Sequence, residues 1–291
     1  MQKLSTNISG RPRGCRSVFR AALWWAGVLA VTYLVICALM MWLEEAFIFF
    51  PSRFPYGDWN PGLPVEEAWF EAADGVRLHG WFLAHPKPRW VVLYSHGNAG
   101  NITHRAEILE DIHRYLEASV LVWDYRGYGR SEGRPTEQGV LLDAEAARQW
   151  LAQRTGWPPD RLVLWGHSLG GAVAVKLAVS GGAAALVLES TFPSLPDVAA
   201  YHYPWLPVRW LMRNRLDVYS IIDQYHGPLF QSHGEADTIV PIELGRKLFD
   251  AANPPKQFLE ISQADHNDPL PLEYYRQVKK FLETHAPPPG S

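Results

Sequence analysis

The chain has 291 residues, 47% hydrophobic and 20% charged, with a net charge of −3 at pH 7; that length supports one large α/β domain with a filled core. Setting aside the five positive charges of Lys3, Arg11, Arg13, Arg16 and Arg20 leaves −8 for the remainder, an acidic balance that argues against a nucleic-acid partner. The only cysteines, Cys15 and Cys37, lie near the N-terminus, so the rest of the chain can form neither a disulfide nor a thiolate metal site.

In chain order, residues 1–20 form a basic tail without an acid, and Ala21 to Leu43 ("AALWWAGVLAVTYLVICALMMWL") follows with no charge. A helix of that length covers a hydrocarbon core of about 30 Å. Trp24, Trp25 and Trp42 near its ends suit the interfacial aromatic belt. The expectation is a single transmembrane helix over 21–43. A buried core helix and a cleaved signal peptide are the alternatives, but the stretch is apolar on every face and no small-x-small site precedes Glu44. The positive-inside rule puts the N-terminus in the cytoplasm and the large domain across the membrane.

Residues 44–64, with the Pro/Gly punctuation of "PSRFPYGDWNPGLP", read as a linker out of the membrane. "EEAWFEA" and "VRLHGWFLA" flank "ADG" as a hairpin. Then "WVVLYSHG", "SVLVWDYRG", "RLVLWGHS", "AALVLES", "PLFQSHGEAD" and "KQFLEISQADH" read as strands. Helical periodicity falls between them near 103–117, 137–154, 169–179, 241–252 and 270–285. The alternation predicts an α/β domain over 65–285, a mostly parallel sheet with helices on both faces. Residues 191–220 are its one sizeable insertion, and 286–291 ("APPPGS") read as a disordered tail.

Chemistry in such sheets gathers at the carboxyl ends of the strands, where this chain places "SHGNAG", "GHSLGG", "ESTF", "HGEAD" and "ADHND". Gly166-His167-Ser168-Leu169-Gly170 matches the G-x-S-x-G nucleophile elbow in its strand–turn–helix context. Serine there takes strained φ/ψ, and Gly166 and Gly170 remove side chains that would collide. A helix starting at Leu169 aims free N–H groups at a developing oxyanion. The elbow needs an acid and then a histidine downstream. His266, just past the last strand, is the base candidate, and His233 is read as a brace. Asp237 is the acid, with Glu189 as positional rival; Asp265 and Asp268 suit solvated loop roles. A second oxyanion donor is expected from the backbone N–H of Asn98, beside that of Leu169, while His96 is a structural hydrogen-bonder. "GYGRSEG" fails as a dinucleotide fingerprint because Glu132 fills the third glycine position. There is no H-E-x-x-H, cysteine pair or Walker motif, so neither metal nor cofactor is expected.

With the elbow, "HGNAGN", "DYRGYGRSEGRPTEQG", "HGEADTIVP", "ADHND" and the "FIFFPS" exit in view, the chain resembles the membrane-anchored α/β-hydrolase family that includes eukaryotic protein depalmitoylases and bacterial relatives. The similarity runs from about Glu44 to Leu282. It implies an α/β-hydrolase fold with the triad Ser168, Asp237 and His266, acting on carboxylic esters or thioesters of lipid-like or acylated substrates. One departure is "SQADH", where the family more often has a glycine ahead of the histidine. The aromatic insertion, with Tyr203, Trp205 and Trp210, reads as a small cap lining an acyl pocket. A serine peptidase of the same fold and a non-catalytic binding module are the competing readings. The sequence leaves oligomeric state, acyl length and leaving group open.

Overall fold

The computed structural model describes residues 13–288, so most of the basic tail, with Lys3 and Arg11, and the last residues of "APPPGS" lie outside the described residues. The chain divides into two units, Met1–Leu43 and Glu44–Ser291. The first contains one helix, α1 (Arg13–Trp42). Its stretch Val18–Trp42 is 25 residues long and apolar, about 37 Å of helix, with large apolar side chains exposed along it. That length and composition suit a membrane anchor and a signal sequence alike.

The second unit begins with α2 (Glu44–Ile48) and a two-residue strand, β1 (Phe50–Pro51). Then come β2 (Glu66–Glu71), β3 (Arg77–Leu83), β4 (Trp90–Ser95), β5 (Ala99–Gly100), α3 (Ala106–Leu116) and β6 (Ala118–Asp124). The second half holds α4 (Glu137–Thr155), β7 (Val163–His167), α5 (Leu169–Gly181), β8 (Ala185–Glu189), α6 (Leu195–His202) and α7 (Val208–Leu211). It closes with β9 (Leu229–Gly234), α8 (Ile242–Ala251), β10 (Lys256–Ile261) and α9 (Leu272–His285). Eight strands form one sheet in the order β2-β3-β6-β4-β7-β8-β9-β10. Only β3 runs antiparallel to its neighbours; the rest of the sheet is parallel.

Alternation along each central strand divides the core between the two faces. Leu93, Leu121, Leu164 and Leu186 pack with Val140, Ala144 and Leu151 of α4 and Val173 of α5. Val92, Val120, Val163 and Val187 pack on the other face with Leu109 and Ile112 of α3 and Val278 and Phe281 of α9. Strands buried on both sides read as continuous apolar runs, which is why "WVVLY" and "ALVL" contain no polar break. The termini of α4 are equally local. Thr136 accepts from the Gly139 N–H at 3.1 Å, and Gly156 leaves the helix at φ 73, a backbone region open to glycine.

The stretch 44–64, expected as a linker, is built into the second unit at its start. Ile48 and Phe49 are buried, and β1 pairs in parallel with β5. Glu44 is 5% exposed and accepts from the backbone N–H groups of Arg213 (2.9 Å) and Asn214 (2.8 Å). The apolar pattern "FIFF" hides a split: Ile48 and Phe49 face inward while Phe47 and Phe50 are half exposed.

The long loop after β6 is fixed by a buried ion pair. Arg126 bonds both oxygens of Asp143 on α4, at 2.7 to 3.1 Å, and reaches Asp74 at the β2–β3 turn. Asp143 is fully buried, so removing it takes three bonds from a guanidinium that is itself 7% exposed and leaves it to Asp74. Asp143→Ala is expected to cost about 2–3 kcal/mol in urea unfolding. A cost below about 1 kcal/mol, the range of surface pairs, would show that the pair does not hold this loop.

Candidate active site

The elbow joins β7 to α5 with Ser168 at φ 53, ψ −117, a conformation that costs a non-glycine residue free energy. Backbone crowding explains its neighbours. A Cβ on Gly166 would lie 2.1 Å from the Gly170 carbonyl oxygen, and one on Gly170 would lie 1.9 Å from the Ser95 carbonyl oxygen. The turn is pinned by the Ser168 N–H donating to the Glu189 carbonyl (2.8 Å) and by Thr191 Oγ1 donating to the Ser168 carbonyl (2.9 Å).

His266 and Asp237 meet: His266 Nδ1 lies 2.7 Å from Asp237 Oδ2, with both residues buried. The other oxygen, Oδ1, accepts the N–H groups of Ile239 (2.9 Å) and Val240 (2.7 Å), and His233 Nε2 lies 3.2 Å from Oδ2. Burial works to raise the Asp237 pKa, but hydrogen bonds with His233, His266 and the Val240 N–H outweigh it and hold the carboxyl well below its usual range. Asp265 lies apart, accepting from the Thr238 and His266 N–H groups. Glu189, the positional rival, is turned toward Trp165 Nε1 and the Tyr274 hydroxyl, each donating to Oε1 at 2.7 Å. Burial pushes its carboxyl up to about 7, against the pull of those two donors.

His167, the variable residue inside the elbow, is the participant that pattern reading passes over. Its Nε2 lies 3.0 Å from the His266 carbonyl, with the two ring centroids 4.9 Å apart. Burial, aided by the nearby His266 and Arg105, pushes its pKa down to about 3, so the ring stays neutral and donates through Nε2. His167 thereby ties the His266 loop to the elbow.

The loop after β4 closes on the serine. A Cβ on Gly97 would stand 2.9 Å from His167 Nδ1 and 3.6 Å from Ser168 Cβ, so that backbone passes directly over the elbow. Three groups shape Asn98. Its side-chain amide donates to the Ile48 carbonyl (2.9 Å), and its carbonyl accepts the Phe50 N–H (3.0 Å) and the Tyr128 hydroxyl (2.7 Å). Tyr125 does the same for the His96 carbonyl at 2.6 Å. Leu169 begins α5 beside it, where first-turn N–H groups point out of the helix. His96 is fully buried, consistent with a packed role.

Tyr203, Trp205 and Trp210, expected to line an acyl pocket, are instead 43%, 57% and 89% exposed. The inward positions of the insertion are taken by Leu206 and Val208, so its aromatic face turns outward. A cavity of about 200 Å³ borders His266 on another side, lined by Tyr94, His167, Glu189, Ser190 and Leu270 among others. In the His266 loop, Gln263 takes φ 59, left-handed backbone that glycine adopts at less cost. Among the described residues no group of three His, Cys, Asp or Glu side chains is arranged to hold a metal ion.

This sheet, with an elbow serine and a buried Asp–His pair at its strand ends, defines an α/β hydrolase. Comparison with known proteins agrees. A family model described as serine aminopeptidase, S33, matches residues 86–218. A Mycobacterium tuberculosis protein, Rv2307c, is 41% identical over 268 residues, 89% of this chain and 95% of that one. The α/β hydrolase domain-containing protein WAV2 of Arabidopsis thaliana is 32% identical over 86% of this chain and 91% of its own. Among solved structures, the Pyrococcus furiosus esterase Pf2001 superposes with a TM-score of 0.67 at 21% identity, over 82% of this chain and 98% of that one. The chain belongs to the α/β-hydrolase family.

The state of Glu189 gives a pH test. Its folded pKa of about 7 exceeds its ordinary 4.5, so the folded protein holds this proton more tightly than the unfolded chain does. Its contribution to stability is complete below about pH 4.5 and is lost as pH rises toward 7. Glu189→Gln keeps an acceptor for Trp165 and Tyr274 without the charge. It should flatten the stability profile between pH 5 and 7 and exceed the parent at pH 8 by up to about 3 kcal/mol in urea titrations. Parallel profiles for the two proteins would contradict a protonated Glu189.

Proposed function

We propose that this chain is a membrane-anchored serine hydrolase that cleaves a carboxylic ester or thioester with an apolar acyl group. The reading rests above all on the 2.7 Å contact between His266 and Asp237 beside the strained Ser168 turn. Because Asp237 engages Nδ1, the proton on that nitrogen leaves Nε2 of His266 as the free base. His266 then takes the Ser168 hydroxyl proton as Oγ attacks the acyl carbon. The tetrahedral oxyanion is held by the N–H groups of Leu169 and Asn98. His266 next returns the proton to the departing alcohol or thiol; water, deprotonated by the same imidazole, then attacks the acyl-enzyme, and the acid leaves as the imidazolium gives its proton back to Ser168 Oγ. No step calls on a metal or cofactor. The apolar stretch Val18–Trp42 serves as anchor, with residues 44–285 on the extracytoplasmic side by the charge bias of the tail.

A serine peptidase is the second reading, favoured by the description of the matching family model. Acyl transfer to water needs the same groups in both, and the structural neighbours named as esterases favour the first. Full-length protein in detergent should be labelled by a fluorophosphonate and should hydrolyse p-nitrophenyl esters and an acyl-thioester faster than aminoacyl p-nitroanilides. The reverse preference would establish the peptidase. Ser168→Ala should abolish both labelling and turnover, while Asp237→Asn should lower kcat by roughly 10⁴-fold with little change in KM. Labelling that survives in Ser168→Ala would remove the serine from the mechanism.

A further inference from the structure

The insertion carries a cluster of aromatic side chains that the catalytic proposal leaves unused. Within ten residues, Tyr201, Tyr203, Trp205 and Trp210 are 62%, 43%, 57% and 89% exposed. Single exposed aromatics are ordinary on a protein surface, but four within ten residues are a concentration that asks for a role. Arginines accompany them: Arg209 pairs with Asp197, Arg213 with Glu44, and Arg215 donates to the Arg209 carbonyl. Tyrosine and tryptophan with their polar tips, flanked by long basic side chains, are the composition that settles at the boundary between headgroups and acyl chains.

The position of these aromatics in the chain selects their partner. Glu44 accepts both the Arg213 and Asn214 N–H groups and pairs with the Arg213 guanidinium at 3.2 Å. Glu44 is two residues beyond Trp42, where the apolar helix ends, a separation of at most about 8 Å between Cα atoms. Arg213 in turn lies two residues past the end of α7, which contains Trp210. The insertion is therefore bonded to a residue within two positions of the end of the proposed span. Phe47 and Phe50, both half exposed, extend the apolar surface along the same exit segment.

We infer that the outer face of the insertion, through Tyr203 and Trp210, lies in the interfacial layer of the same phospholipid bilayer that holds Val18–Trp42. The inference rests on the anchor reading above and adds a second, lateral contact to it. That contact places the insertion where an acyl chain still embedded in the leaflet can be met.

The test uses the full-length chain with Cys15→Ser and Cys37→Ser, reconstituted in phosphatidylcholine–phosphatidylglycerol vesicles. Single reporters are introduced as Tyr203→Cys and Trp210→Cys and labelled with an environment-sensitive fluorophore. Leu34→Cys reports on the span, and Arg276→Cys on exposed α9 is the aqueous control. Labels at 203 and 210 should shift to the blue and be quenched several-fold by a shallow nitroxide lipid, while the label at 276 is unchanged. If 203 and 210 behave like 276 while 34 is quenched by a deep nitroxide, the anchor stands and the lateral contact is refuted. If 34 is also unquenched, the anchor reading fails and the lateral contact with it. A blue shift at 203 or 210 without nitroxide quenching means that protein covers these positions, which likewise overturns the proposal.

Discussion

Close contact between backbones at the elbow is the constraint on which the site depends. Strand β7 must turn into α5 within one residue, directly against the end of β4, and both Gly166 and Gly170 stand where any Cβ would overlap a carbonyl. This approach forces Ser168 into its positive-φ conformation at the end of β7. It also brings the Gly97 backbone over the serine. The strain is carried by a core packed on both faces of the sheet, and a looser scaffold would relax it.

Around the elbow the other groups are held by carbonyl anchors as much as by side-chain chemistry. His167 secures the His266 carbonyl, Tyr125 the His96 carbonyl and Tyr128 the Asn98 carbonyl. Each anchor uses a donor that stays in one protonation state, His167 because desolvation keeps it neutral. The loop bearing both tyrosines is held in turn by the Arg126–Asp143 pair. The loop after β4 is thus braced by an ion pair of another segment, through a chain of contacts that leads from α4 to the elbow.

Much of this was legible in the sequence. The strands and major helices of the sheet announced themselves by apolar runs and periodicity, and the elbow by its glycines. Asp237 and His266 fell where strand ends place chemistry, although only coordinates show Glu189 committed to Trp165 and Tyr274 instead of His266. What escaped was whatever depends on partners distant in sequence. The variable position of the elbow carries no pattern, so His167 was invisible as an anchor. Proline and glycine made 44–64 read as a linker, yet Glu44 finds its donors 169 and 170 residues away. Aromatic composition suggested an inward-facing insertion, whereas Leu206 and Val208 occupy its inner side.

The two-residue ladder between Phe50–Pro51 and Ala99–Gly100 fixes where this enzyme can be excised from its apolar helix. A fragment begun at Pro51 discards the Ile48 carbonyl that receives the Asn98 amide, the Phe50 N–H that holds the Asn98 carbonyl, and the carboxylate of Glu44. Cutting before Glu44 preserves all three. The natural boundary of the catalytic body therefore falls just past the apolar helix, between Leu43 and Glu44, and the residues that look like a tether belong to that body.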